Sequence, residues 1–134
     1  MKKTILLFIA ILSIGIKANA QNNYKEPVVT NLSAERFKII IANDKNAEVI
    51  DLRTADEIKN GYIKGAKQID FLAKDAEAQI DKLDKTKIYY VYCAGGGRSA
   101  EAAEMMEKKG FLKVYNLEKG FAEWKEKGFP VENK

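Results

Sequence analysis

Residues 88–110 read IYYVYCAGGGRSAEAAEMMEKKG and contain the only cysteine of the 134-residue chain, Cys93. The run before it, KIYYVY, is rich in β-branched and aromatic residues, which favour a strand. The run after it, from Ser99 to Lys109, has the apolar spacing of a helix, and Gly110 is a typical helix stop. The stretch therefore predicts a strand, a glycine loop and a helix, with the thiol at the carboxyl end of the strand.

Segments with strand and helix character alternate over the rest of the chain as well. The predicted strands are residues 28–32, 48–53, 67–69, 87–92 and 113–117. The predicted helices are residues 34–43, 55–61, 75–83, 99–109 and 120–128. Ser33 has the position of an N-cap, and Thr54 with Glu57 matches a capping box. This alternation predicts a single α/β domain with a mostly parallel sheet.

The first twenty residues, MKKTILLFIAILSIGIKANA, have the composition of a signal peptide. Two lysines are followed by an apolar stretch at residues 5–16, and Ala18-Asn19-Ala20 has the small-x-small pattern of a cleavage site. The apolar stretch is shorter than the ~20 residues that a spanning helix needs. We predict cleavage after Ala20 and a periplasmic or secreted protein without membrane attachment. Residues 21–31 are predicted as a flexible lead-in, and residues 32–134 as the folded domain.

The mature chain is close to neutral. The leader contains three lysines and no acidic residue, so 20 of the 23 basic residues remain against 19 acidic ones, a formal charge of +1. The sequence pI of about 9.0 therefore overstates how basic the mature protein is. We predict no nucleic-acid partner.

A single cysteine and the absence of histidine restrict the possible chemistry. A lone cysteine cannot form an internal disulfide, so Cys93 is either an inert buried thiol or a reactive one. The residues offer no pattern of metal ligands, and we predict no metal and no other cofactor.

The loop after the cysteine, Ala94-Gly95-Gly96-Gly97-Arg98, has the composition of an anion-binding turn. Glycine adopts positive φ at little cost, so three in a row allow the backbone to curl and turn its amides inward. Such amides at the start of a helix bind anions. A Cys93 thiolate held by these amides and by the helix dipole would have a lowered pKa without a histidine base.

Three chemistries place a glycine loop after a strand. Gly95 to Ala100 matches the dinucleotide pattern G-x-G-x-x-A, and Glu118 lies near the place of a ribose-binding acid, but only 34 residues follow Ala100. Cysteine phosphatases need a loop one residue longer than the four residues that separate Cys93 from Arg98. Sulfur transfer requires only that the loop hold a thiolate or a persulfide.

Three segments, taken together, resemble the rhodanese (sulfurtransferase) family over about residues 32–132. VIDLRTADEIKNGYIKGAKQID resembles the family's acidic-x-Arg triplet, glutamate and Gly-His-Ile-x-Gly-Ala stretch. YVYCAGGGRSAEAA resembles its active loop, Cys-x-x-Gly-x-Arg-Ser. GFLKVYNLEKGFAEWKEKGFPVE resembles its closing segment, Leu-x-Gly-Gly followed by Trp and Gly-x-Pro.

The resemblance implies a rhodanese-like α/β fold, a mostly parallel five-stranded sheet with helices on both faces. It also implies that Cys93 is the catalytic nucleophile. The cysteine would take a sulfane sulfur from thiosulfate or a persulfide donor and pass it to cyanide or a thiol, including a protein thiol. The cradle for the sulfur would be formed by Ala94, Gly95, Gly96, Gly97, Arg98 and Ser99. The alternative is a binding or persulfide-sensing module with little turnover.

The roles of the charged residues remain open from sequence alone. Arg98 either steers an anionic donor or is held by an acid such as Asp51 or Glu57. We predict that Asp51, Arg53 and Glu57 form a supporting polar network inside the domain and do not contact the substrate.

Two positions depart from the family pattern. Tyr62 stands where the family usually has histidine, and we interpret it as a structural substitution. Lys119 replaces the first glycine of the Gly-Gly pair, where it would distort the turn after Leu117 or place a positive charge near the pocket rim. The aromatic residues predicted to pack in the core or against the sheet are Tyr89, Tyr92, Phe121 and Trp124.

Overall fold

A five-stranded parallel sheet lies at the centre of the protein in the computed structural model, which describes residues 25–133. The strands are β1 (Val29–Leu32), β2 (Glu48–Asp51), β3 (Lys67–Gln68), β4 (Ile88–Tyr92) and β5 (Lys113–Leu117). Their order across the sheet is β1-β5-β4-β2-β3, and all neighbouring strands are parallel. The predicted α/β class with a parallel sheet is confirmed.

Helices cover both faces of this sheet. Over the described range they are α1 (Ala34–Asn43), α2 (Ala55–Ile58), α3 (Ala76–Asp81), α4 (Gly97–Lys108) and α5 (Gly120–Glu126). One face packs against α3 and α4, and the other packs against α1 and α5. Ser33 caps α1, and Thr54 with Glu57 forms the predicted capping box at α2.

The central strand, β4, divides its side chains between the two cores. Tyr89 and Val91 face α3 and α4, whereas Tyr90 and Tyr92 face α1 and α5. Because side chains alternate along a strand, Cys93 falls on the α4 side. The strand therefore directs the thiol toward the helix that follows it. The four predicted core aromatics are all buried: Tyr89, Tyr92, Phe121 and Trp124.

The strand predicted at residues 28–32 is confirmed: β1 starts at Val29 and pairs with β5. The sheet therefore includes residues 29–31, which the predicted domain boundary at residue 32 placed in the lead-in. The predicted signal peptide, residues 1–20, lies outside the described residues. Along residues 25–133, no helix combines the length and the apolar character needed to cross a membrane.

Two helix boundaries also differ from the prediction. α4 begins at Gly97 and not at Ser99, because a φ of 100° at Gly96 turns the backbone into the helix within the glycine triplet. α2 ends at Ile58, before the predicted stop at Gly61.

Tyr62 joins the loop after α2 to the end of the domain. Its amide donates to the Glu132 carbonyl at 2.9 Å, and the Glu132 amide donates back at 2.8 Å. These are backbone contacts that do not depend on the side chain, and the interpretation of Tyr62 as a structural substitution stays a prediction.

Candidate active site

Cys93 lies at the carboxyl end of β4, where residues 94–96 lead into α4, and is 1% exposed. Its Sγ accepts hydrogen bonds from the Gly96 amide at 3.1 Å and from the Ser99 amide and hydroxyl at 3.4 Å each. The Ser99 hydroxyl also lies 3.1 Å from the Gly96 carbonyl. The hydroxyl has a single hydrogen, so it can donate to only one of these two acceptors at a time. A thiolate is a stronger acceptor than a neutral carbonyl. The hydroxyl is thus placed to turn toward the sulfur when the thiol ionises.

These donors decide the protonation of the thiol. Burial raises the pKa of Cys93, but hydrogen bonds from the Ser99 hydroxyl and from the amides of Ser99, Gly96 and Gly95 outweigh it, so the pKa is lowered overall. The start of α4 at Gly97 adds the positive end of a helix dipole. The site can therefore favour a nucleophilic thiolate in a chain that contains no histidine.

We expect the rate of Cys93 alkylation by iodoacetamide to rise with pH with a midpoint below the ordinary thiol pKa of about 8.5. Alkylation reports the thiolate fraction, so a lowered pKa moves the midpoint to lower pH. Ser99→Ala removes one donor and is expected to move the midpoint upward. A wild-type midpoint at or above about 8.5, or no upward shift in Ser99→Ala, would contradict the role given to these donors.

Only the middle glycine of the triplet is required by its surroundings. Gly96 has a φ of 100°, and a Cβ there would lie 1.9 Å from the Glu118 carbonyl oxygen. A Cβ on Gly95 or Gly97 would meet nothing within 4 Å. The loop therefore closes against the turn after β5, and Gly96 permits this approach.

Hydrogen bonds from the start of α5 hold the beginning of the loop, at Cys93 and Ala94. The amides of Phe121 and Ala122 donate to the carbonyls of Cys93 and Ala94 at 2.8 and 3.0 Å. Gly120, which has a φ of 66°, allows this contact because a Cβ there would lie 2.5 Å from the Ala94 oxygen. The sequence analysis did not predict this role for Gly120. The signal was present, because Gly120 keeps the second glycine of the family's Gly-Gly pair.

Lys119 leaves this turn intact. Its φ is −103°, a conformation open to any residue, and its side chain is exposed. Of the two alternatives given for Lys119, distortion of the turn after Leu117 is not observed. Of the two positions in the family's glycine pair, only the second requires glycine here.

Arg98 is held by Glu57 and not by Asp51. Its two terminal nitrogens donate to the two carboxylate oxygens of Glu57 at 2.9 and 2.7 Å. Glu57 Oε2 also accepts from the Thr54 amide at 2.9 Å. The pair joins α2 to the active loop.

Asp51 and Arg53 form a separate, buried pair. The Arg53 guanidinium donates to Asp51 at 2.7 Å and to the Gly61 carbonyl at 2.8 Å. Asp51 also accepts from the Tyr92 hydroxyl, which sequence reasoning did not include and had no signal to suggest. The predicted single network of Asp51, Arg53 and Glu57 is thus two networks, because Glu57 bonds to the loop.

Of the six predicted cradle residues, Gly96 and Ser99 donate directly to the sulfur. The Gly95 amide contributes to the lowered thiol pKa, and Arg98 binds Glu57. Within the described part of the chain, no group of three potential metal-binding side chains comes together.

Three comparisons relate this fold and loop to known proteins. The chain is 30% identical over 96 residues to the putative sulfur carrier protein YrkF of Bacillus subtilis, covering 72% of this chain and 51% of that protein. It is 26% identical over 104 residues to a sulfurtransferase of Allochromatium vinosum, covering 78% of this chain and 95% of that protein. A rhodanese-like domain protein from Staphylococcus aureus has a TM-score of 0.67 and 31% identity, covering 78% of this chain and 98% of that one.

The chain thus spans about half of YrkF and nearly all of the other two proteins. Residues 33–127, most of the sequence, match the family model described as the rhodanese-like domain. The resemblance found in three separate motifs is therefore confirmed over one continuous segment, and the chain belongs to the rhodanese-like domain family.

Proposed function

We propose that the protein is a sulfurtransferase that carries a sulfane sulfur as a persulfide on Cys93. The observation that supports this most directly is the set of three hydrogen-bond donors on the buried Sγ. They favour the thiolate, which is the nucleophilic form of cysteine. Relatives named as a sulfurtransferase and as a putative sulfur carrier support sulfur handling in general.

In the first step, the Cys93 thiolate attacks the outer sulfur of thiosulfate or of an organic persulfide. A bond forms between Sγ and that sulfur as the donor's own sulfur–sulfur bond breaks. The leaving group, sulfite or a thiolate, departs with the electron pair. No proton has to move, so the step needs no general base.

In the second step, cyanide or an acceptor thiolate attacks the outer sulfur of the Cys93 persulfide. The bond to Sγ breaks, and Cys93 leaves as a thiolate. The Gly96 and Ser99 donors that lower the thiol pKa also stabilise this leaving group. The same hydrogen bonds thus assist both halves of the reaction.

A binding or persulfide-sensing module with little turnover is the second candidate. The observation that favours it is the burial of Cys93, which is 1% exposed, because burial restricts the approach of a bulky acceptor. Such a module would form the persulfide and retain it.

Steady-state assays separate these functions. Thiosulfate or glutathione persulfide serves as the donor, and cyanide or a small thiol serves as the acceptor. The product is thiocyanate with cyanide and the persulfide of the small thiol with the thiol acceptor. Multiple turnovers support the sulfurtransferase, whereas a persulfide that none of these acceptors removes supports the sensing module. Turnover of an aryl phosphate without any sulfur transfer would contradict both.

A further inference from the structure

The only cation in the active loop, Arg98, is neutralised by a fixed carboxylate. The pairing with Glu57 is bidentate, and the two side chains are 23% and 32% exposed. The Arg98 hydrogen bonds, acting against burial, lower the pKa of Glu57 to about 2. The carboxylate therefore stays charged across any practical assay range, and the pair presents no net charge.

The surface next to Arg98 does not replace the missing positive charge. Arg98 forms part of the wall of a cavity of about 430 Å³ between α4 and the segment that leads into α3. Once Arg98 is neutralised, the other charges on this wall are one lysine and two glutamates, Lys74, Glu77 and Glu101. The wall also contains apolar side chains from Phe71, Leu72 and Met105, of which Leu72 is 66% exposed. With Arg98 paired to Glu57, this wall therefore presents no excess positive charge to a small dianion.

We infer that Glu57 is a specificity-determining residue that, by neutralising Arg98, makes the site prefer organic persulfides over thiosulfate as sulfur donors. The inference rests on the proposed function. Glu57 acts through Arg98 and is a positioning residue in that reaction.

The charges of the two reactions explain the preference. Cys93–S⁻ and S–SO₃²⁻ give Cys93–S–S⁻ and SO₃²⁻, so the small leaving group carries two negative charges. Cys93–S⁻ and R–S–S⁻ give Cys93–S–S⁻ and R–S⁻, which has a single negative charge at the reacting end. An unpaired guanidinium would stabilise the first reaction more than the second.

Glu57→Gln tests this assignment. Glutamine can still accept from the Thr54 amide, and a capping box accepts Gln in place of Glu. It lacks the charge that neutralises Arg98. We expect kcat/KM for thiosulfate to rise about tenfold, mainly through KM, because the unpaired guanidinium could form a charged hydrogen bond to the dianion. The value for glutathione persulfide should change by less than about twofold, and added salt should reduce the gain with thiosulfate.

Asp56→Asn is the matched control. Asp56 lies on the same helix, its side chain is 88% exposed, and it pairs with Lys59 and not with the loop. The substitution changes the net charge by the same amount and should leave the ratio of the two kcat/KM values unchanged.

Measuring both donors on each preparation makes that ratio independent of the fraction of folded protein. A ratio that is unchanged in Glu57→Gln, or that moves equally in Asp56→Asn, overturns the assignment while leaving the proposed function standing. A failure of wild-type Cys93 to accept sulfur from either donor overturns the proposed function, and the assignment with it.

Discussion

Cys93→Ser is expected to abolish sulfur transfer from thiosulfate and from glutathione persulfide, a loss of at least about 10³-fold. A serine hydroxyl has a far higher pKa than a thiol, and the cradle cannot ionise it. It also cannot form the sulfur–sulfur bond that the mechanism requires. Thiocyanate release with thiosulfate and cyanide measures the effect directly.

The fold should survive this substitution. The serine oxygen can accept from the same Gly96 and Ser99 donors, so the buried hydroxyl retains partners. We expect the free energy of unfolding to change by no more than about 1–2 kcal/mol, and the far-UV circular dichroism to match the wild type. Transfer activity retained by a folded Cys93→Ser protein would rule out Cys93 as the nucleophile.

Gly96→Ala is expected to have the second-largest effect, on stability and activity together. The new Cβ would lie 1.9 Å from the Glu118 carbonyl oxygen, and alanine would have to adopt a φ of 100°. Overpacking and left-handed backbone together cost about 2–5 kcal/mol, so either the protein loses stability or the loop moves away from Glu118. Loop movement would remove the Gly96 amide from Sγ, lower the activity and raise the thiol pKa.

Gly97→Ala is the matched control for this prediction. The position is one residue further on, begins α4, and has open space around a Cβ. Alanine in a helix is about 0.5–1 kcal/mol more favourable than glycine, so stability should be unchanged or slightly higher. Chemical denaturation of both variants decides the matter. Equal stability of Gly96→Ala and Gly97→Ala would contradict the packing of the loop against Glu118.

Much of the fold follows from local sequence signals. The capping box of Thr54 and Glu57 has both hydrogen bonds in place, and the β-branched and aromatic run before Cys93 forms β4. Local rules succeed here because capping and strand propensity depend on residues close together in the chain. The predicted helix boundary is less accurate at the start of α4, where the positive φ of Gly96 sets the first helical residue.

The less predictable features depend on contacts between distant residues. Sequence could not choose between Asp51 and Glu57 as the partner of Arg98, because Asp51 ends the strand β2 and Glu57 follows it by only a few residues. In the structure the Asp51 carboxylate is already bound by Arg53 and Tyr92, which leaves Glu57 for Arg98. This outcome follows from side-chain directions in the assembled sheet and not from spacing.

The same limit applies to the glycines. Gly95, Gly96 and Gly97 are equivalent in the sequence, and only the approach of the turn at Glu118 makes the middle one necessary. Gly120 acquires its role in the same way, by packing against the Ala94 carbonyl. These contacts join the loop after β4 to the turn after β5, two strands that are adjacent only in the folded sheet.

Mass spectrometry of the intact protein after incubation with each sulfane donor tests the central proposal most directly. The protein should gain the mass of one sulfur atom, a fragment containing Cys93 should carry it, and cyanide should remove it. Cys93→Ser should gain none. A folded wild-type protein that acquires no sulfur from thiosulfate, glutathione persulfide or polysulfide would contradict the assignment of Cys93 as a sulfur carrier.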